Sequence, residues 1–232
     1  MREPRVSSER PNELLLPFRF FDNEADVAIV ERKLPHWSQP GTVAFITWRT
    51  LDSMPETVVK RWYADRDGWL RDHAIDPAWP NWRDRLYELE RRVVSEFLQT
   101  FWNRWQDALD ECHGACVLRT PELAKIVADS LLHFDGDRYL MLDFVVMPNH
   151  VHLLAAFPDE DAMLKQCESW KHYMATQINR ALRQRGRFWQ QDGFDHLVRS
   201  EGQFAHLRRY IAENPRKARL RDGEFKHSSR PL

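Results

Sequence analysis

Little in this chain would tie it to a membrane or to an oxidising compartment. Cysteine is scarce: Cys112, Cys116 and Cys167 are three and cannot all pair, which suits a reducing environment. No apolar run approaches the roughly 20 residues of a membrane span. The opening Met1-Arg-Glu-Pro-Arg-Val-Ser-Ser-Glu-Arg10 is polar and mixed in charge, without the apolar stretch of a secretory leader. Cytoplasm, with no membrane partner, is the expectation. No internal repeat or low-complexity tract is present. The 232 residues, 43% hydrophobic and 30% charged, have the make-up of an ordinary globular protein able to bury a full core. They suit one domain with an elaboration, or two small domains.

A large net charge is also missing, since the total is −1. Its distribution is uneven. From Lys165 to Leu232 there are 15 Lys and Arg against 7 Asp and Glu, and the remainder of the chain is acidic. The basic segment could hold a polyanion, although a solvated basic face would look the same. Lys165, Lys171, Arg180, Arg183, Arg185 and Arg187 could form a phosphate-tracking face on that reading.

The pattern along the chain sorts into few elements. Residues 1–30 are expected to be a disordered N-terminal segment, followed by one domain over 31–232. Leu34-Pro-His-Trp-Ser-Gln-Pro-Gly41 reads as a loop, and Thr42–Trp48, β-branched and aromatic, as a strand. Residues 52–112 read as an insertion of two or three short helices, carrying six of the ten tryptophans: Trp62, Trp69, Trp79, Trp82, Trp102 and Trp105. Those tryptophans suit a core better than a base-stacking platform. Thr120-Pro121 starts a helix that ends near Asp135-Gly136. Tyr139–Val146 and Val151–Phe157 read as strands, Asp159–Arg185 as a long helix, and Gln203–Glu213 as a helix stopped by Asn214-Pro215. The order fits an α+β fold: a small antiparallel sheet with helices on one face, plus the Trp-rich helical insertion.

The chemistry concentrates in Met147-Pro-Asn-His-Val-His-Leu-Leu154. Side chains two apart on a strand share a face, so His150 and His152 converge. Two neutral imidazoles on a rigid strand are half of a metal site, and at least one more ligand is needed. Tyr210 and Asn214, four apart on a helix, offer a nucleophile and an amide oxygen on one face. Two histidines, an amide oxygen and open positions suit Mg²⁺ or Mn²⁺ bridging to a phosphate, whereas a structural zinc would want a fourth soft ligand. A tyrosine beside such a cation could exchange a phosphodiester for a phosphotyrosine. Taken singly, Tyr210 also reads as a half-buried helix tyrosine and Asn214 as a helix cap. Tyr173 is a rival nucleophile, with no ligand one turn on. Cys112-His113-x-x-Cys116 brings too few ligands together for a zinc loop.

Met147–Leu154 followed by Tyr210-Ile-x-x-Asn214-Pro215 resembles the REP-associated tyrosine transposases, HUH single-strand nucleases with one catalytic tyrosine. Leu34-Pro-His-Trp37, Gly41 and Phe45-Ile-Thr-Trp-Arg49 resemble the N-terminal signature of that family, and Gly186-x-x-Trp189-Gln190 its late segment. The likeness covers residues 33–50 and 118–221; the insertion departs from the compact family pattern. The resemblance implies a ferredoxin-like HUH fold. It implies His150, His152 and Asn214 as ligands of Mg²⁺ or Mn²⁺, and Tyr210 as the nucleophile that forms a 5′-phosphotyrosine and frees a 3′-OH. It further implies single-stranded DNA hairpins as substrate and a monomer or homodimer. His36, Trp37, Arg49, Trp189, Gln190, Arg209, Arg216 and Lys217 are the candidate DNA contacts, and aromatic stacking by Trp37 would be sequence-tolerant. Two other classes compete: a catalytically idle hairpin-binding regulatory protein, and a metal hydrolase using bound water, which would need further ligands.

Overall fold

The computed structural model describes residues 28–31, 35–38, 41–190 and 194–231, with side chains described for 41–190 and 197–231. The expected disordered segment lies, up to residue 27, outside the described residues. In chain order the elements are β1 (Ala28–Glu31), β2 (Pro35–Ser38), β3 (Val43–Arg49), α1 (Glu56–Asp72), α2 (Trp82–Tyr87) and α3 (Arg91–Asp110). There follow α4 (Pro121–Leu132), β4 (Leu140–Val146), β5 (His150–Ala156), α5 (Glu160–Ala181), β6 (Phe194–Leu197), α6 (Glu201–Lys217) and β7 (Lys226–Ser229). No described helix is long and apolar enough to cross a membrane.

The fold is α+β, built on a five-stranded sheet in the order β6-β3-β5-β4-β7. Every neighbouring pair in it is antiparallel. Strands β3, β4 and β5 are buried on both faces, which is why they read as nearly continuous apolar runs. Their two faces carry different cores. Ile46, Trp48, Val151 and Leu153 meet Leu123, Val127 and Leu131 of α4 and Met163, Trp170 and Met174 of α5. Phe45, Val145, Met147 and Leu154 meet Phe204, Leu207 and Ile211 of α6. The anticipated helical layer is therefore α4 and α5, and the opposite face carries α6 as well.

Several elements differ from the sequence pattern. Pro35–Ser38 is a strand paired antiparallel to β1, not a loop; proline is tolerated at the first residue of an edge strand, where no ladder donor is lost. Helix α5 ends at Ala181, and Arg183 just beyond takes a left-handed backbone (φ 53°). Helix α6 runs through Asn214-Pro215 to Lys217. Pro215 removes one intrahelical donor, but Ala218 N–H donates to Asn214 O (3.0 Å) and Leu220 N–H to Pro215 O (2.9 Å), closing the last turn. Ser200 caps α6 at its start by accepting from Gln203 N–H. Strand β7, Lys-His-Ser-Ser, is a polar edge strand with no apolar alternation to betray it.

The three helices of the insertion enclose their own small core of Leu70, Ile75, Leu86, Phe97 and Phe101, with Trp62, Trp69 and Trp82 packed against it. Trp62 Nε1–H donates to Phe101 O at 3.1 Å. Trp102 leaves that cluster and lies edge-on to Phe45 of the sheet, ring centroids 5.8 Å apart. The two ends of the insertion are clamped together: Ala115 N–H donates to the Asp52 carboxylate at 2.7 Å. Gly114 makes this approach possible, because at its φ of +87° a Cβ would stand 2.5 Å from Asp52 O.

One buried ion pair ties β4, α6 and β7 together. Asp143, 2% exposed, accepts two bonds from the Arg208 guanidinium at 2.8 and 3.0 Å. Arg208 also donates to Ser229 Oγ and Arg230 O. Arg208→Met would leave a buried carboxylate without its countercharge. It should cost about 3–5 kcal/mol in urea unfolding; a loss under about 1 kcal/mol would show that the network does not hold the C-terminal strand.

Candidate active site

Strand β5 places His150 and His152 by its register. Residues 150, 152, 154 and 156 face α6, and 151, 153 and 155 face α4 and α5. His150 lies opposite Arg49, and His152 between Thr47 of β3 and Val145 of β4. Both imidazoles are fully buried, with ring centroids 4.6 Å apart.

Each ring is oriented through Nδ1. His150 Nδ1 is 2.7 Å from Asn149 Oδ1, while Asn149 Nδ2 donates to His113 O (3.1 Å) and Ser53 O (3.4 Å). An amide oxygen can only accept, so His150 carries its proton on Nδ1 and presents a bare lone pair at Nε2. That Nε2 is buried with no hydrogen-bond partner. His152 Nδ1 is 2.7 Å from Thr47 Oγ1, a hydroxyl that serves either tautomer. Its Nε2 faces the Tyr210 hydroxyl at 3.4 Å. Burial takes the His150 pKa down to about 3. Burial first, then the neighbouring His150 and Lys217, pushes His152 well below its ordinary value. Both rings are neutral, the form that ligates metals.

Helix α6 brings Tyr210 and Asn214 to the same place. The Tyr210 hydroxyl donates to Gln106 Oε1 at 3.1 Å, and its ring stands edge-on to His152 at 5.2 Å. Burial, then Asp110 and Asp107, raises the Tyr210 pKa, so the resting group is a protonated phenol. Asn214, 1% exposed, lies against Asp110 and Tyr210 and polarises both, yet neither side-chain atom makes a hydrogen bond of good geometry. A cavity of about 310 Å³ lined by Tyr210, Glu213, Asn214, Arg216 and Lys217 opens the site on this side.

The insertion helix α3 closes the site from the other side, which the sequence pattern did not foretell. Gln106 holds Tyr210. Asp110, its side chain 8% exposed, stands 4.0 Å from His150 Nε2 and 3.1 Å from Lys217 Nζ. Lys217 also pairs with Asp107 at 2.7 Å. Leu98, Trp102, Gln106 and Asp110 recur every four residues. Asn149 sat inside the histidine motif, and Thr47 only the strand register could reveal.

The remaining candidates scatter. Tyr173 is 53% exposed on α5, across the sheet from the histidines. Trp189, a candidate DNA contact, is 3% exposed and packs edge-on against Trp48 on the α4–α5 side. Gln190 spans back to Leu51 O through Nε2 at 2.8 Å. The Arg49 guanidinium lies 5.2 Å over Trp105 and donates to Ser53 Oγ. Arg209, Arg216 and Lys217 are exposed on α6. His36 and Trp37 stand in β2, opposite Val30 and Ile29, and their side chains lie outside the described residues. Cys116 Sγ donates to Cys112 O at 2.7 Å. Among the described residues no three His, Cys, Asp or Glu side chains group as metal ligands, so any cation here must also draw on amides.

Residues 122–214 match the family model described as "Transposase IS200 like". The matched stretch starts after the insertion and contains both histidines, Tyr210 and Asn214. A solved structure described as "Structure of the REP associates tyrosine transposase bound to a REP hairpin" is similar at 17% identity and a TM-score of 0.37, covering 77% of this chain and 69% of that chain. A search of curated proteins gives no match.

The tautomer of His150 is directly measurable. A long-range ¹H–¹⁵N spectrum of the metal-free protein at pH 7 should show Nδ1 protonated and Nε2 bare. An imidazolium, or a proton on Nε2, would contradict the arrangement around Asn149.

Proposed function

From the IS200-like transposase match over residues 122–214, we propose that this chain is a DNA transesterase acting on single-stranded hairpin DNA. It cuts through a 5′-phosphotyrosine, as in transposition. The observation that carries the reading is the Tyr210 hydroxyl standing 3.4 Å from the Nε2 of a neutral, strand-held histidine.

Tyr210 is the nucleophile. Its oxygen bonds to the scissile phosphorus as the bond from phosphorus to the 3′ oxygen breaks, and the phenolic proton ends, net, on the freed 3′-OH. One phosphodiester is exchanged for another, so rejoining needs no external energy source. His150, His152 and Asn214 are the residues that would hold Mg²⁺ or Mn²⁺; a bare buried Nε2 and an amide without partners fit a hard cation that keeps open positions. When bound there, the cation supplies charge that polarises the scissile phosphate. Gln106 orients the phenol, and Thr47 and Asn149 fix the imidazoles. Arg216 lines the cavity and, with the exposed Arg209 of the same helix, offers positive charge to the nucleic-acid backbone, while Lys217 is engaged with Asp107 and Asp110. A second reading, a hairpin-binding protein without turnover, draws on the partly buried Tyr210 being held as a phenol by Gln106 and two nearby carboxylates.

Incubation with end-labelled hairpin DNA and Mn²⁺ separates the two readings. The single-stranded hairpin should be cut, leaving protein on the 5′ end of one fragment. Tyr210→Phe should abolish that adduct yet retain hairpin binding, because only the attacking oxygen is removed. The fully paired duplex should be cut weakly or not at all, since melting costs roughly 1.4 kcal/mol per step. Binding without any adduct favours the idle protein, and an undiminished adduct in Tyr210→Phe removes Tyr210 from the reaction.

A further inference from the structure

The insertion helix α3 places a carboxylate where the histidine–asparagine set is open. His150 Nε2 carries a lone pair, because its proton is committed to Asn149 through Nδ1. It faces Asp110 Oδ1 across 4.0 Å, too far for a hydrogen bond and with no proton to share. Asp110 Oδ2 is ion-paired with Lys217 at 3.1 Å, but its Oδ1 is buried without a hydrogen bond, as are both side-chain atoms of Asn214 and Nε2 of Gln106. A lone pair opposed to a carboxylate in a desolvated patch is repulsive on its own. Adjacent ligands of a hard cation with bonds of ~2.1 Å stand roughly 3 Å apart, so Asp110, which as placed does not group with the two imidazoles as a ligand set, would close by about 1 Å to ligate.

We propose that Asp110 of the insertion is a further ligand of the divalent cation held by His150, His152 and Asn214. The insertion thus completes the metal site and is not a separate module. This rests on the cation assigned above to those three residues. A carboxylate gives the site one negative charge, which favours a divalent ion over a neutral set of two imidazoles and an amide. Lys217 occupies the charge role when metal is absent: its ammonium lies 3.1 Å from Asp110 and 2.7 Å from Asp107. The alternative is that Asp110 serves only as the partner of Lys217. Asp107 separates these possibilities, because it has the same charge and the same lysine partner but points to solvent, 60% exposed.

The test is Mn²⁺ affinity of the full chain without DNA, read from the electron paramagnetic resonance signal of free Mn²⁺. Asp110→Asn keeps the side chain's shape and should weaken Mn²⁺ binding about tenfold or more, the scale on which ligand-shell changes act. Asp107→Asn should stay within about twofold of the wild type. Thermal unfolding of each metal-free variant checks that the fold is intact. Unchanged Mn²⁺ affinity in Asp110→Asn overturns the assignment of Asp110 while leaving the histidine site standing. Equal weakening in both variants overturns it too, because general charge would then be the cause. A wild-type chain that takes up no Mn²⁺, alongside a Mn²⁺-independent adduct, overturns this inference and the metal assignment together.

Discussion

Buried polar groups without partners constrain this molecule more than any other feature. His150 Nε2, Asp110 Oδ1, the Asn214 amide and Gln106 Nε2 share one patch between β5, α6 and α3, while Asp110 Oδ2 is ion-paired with Lys217. Each costs about 1–3 kcal/mol when desolvated and unpaired. A chain tolerates that only where the surroundings over-determine the arrangement, and here they do. The central strand pins the histidines and Asn149 fixes the tautomer. The cores beneath α6 and within the insertion hold the two helices against each other's polar faces.

That arrangement follows from two periodicities meeting. The period of two along β5 sends His150 and His152 to the α6 side and Val151 and Leu153 to the α4–α5 core. The helical period returns Tyr210 and Asn214 to one face, and Gln106 and Asp110 to one face of α3. Slipping β5 by one residue would turn Val151 toward the site and carry both imidazoles into the opposite core. Burial then does chemical work. It keeps the imidazoles neutral and, with Asp110 and Asp107, keeps Tyr210 a phenol, so the nucleophile and the two histidines rest uncharged.

The site's backbone was legible because its signals are local. His-x-His in an apolar run and Tyr-x-x-x-Asn before proline are spacings of two and four, and spacing alone sets which side chains share a face. Asn214-Pro215 misled only about length: proline removes a single donor, and the tertiary packing of Ile211 and Pro215 keeps α6 helical to Lys217. Trp189 misled differently. Named as a candidate DNA contact, it packs instead against Trp48, a partner known only from the register of distant strands. Gln106 and Asp110 were illegible for the same reason. Nothing local says that an insertion some forty residues before the histidines folds back over them. Strands β6 and β7 escaped notice because short edge strands need no apolar alternation.

On the proposed reading, the patch is shaped around one cation. The most direct measurement is anomalous diffraction from crystals of the full chain soaked in Mn²⁺. A single strong peak bounded by His150 Nε2, His152 Nε2, Asn214 and Asp110 is expected. An empty patch with Lys217 turned into it, or a Mn²⁺ peak away from the histidines, would contradict it.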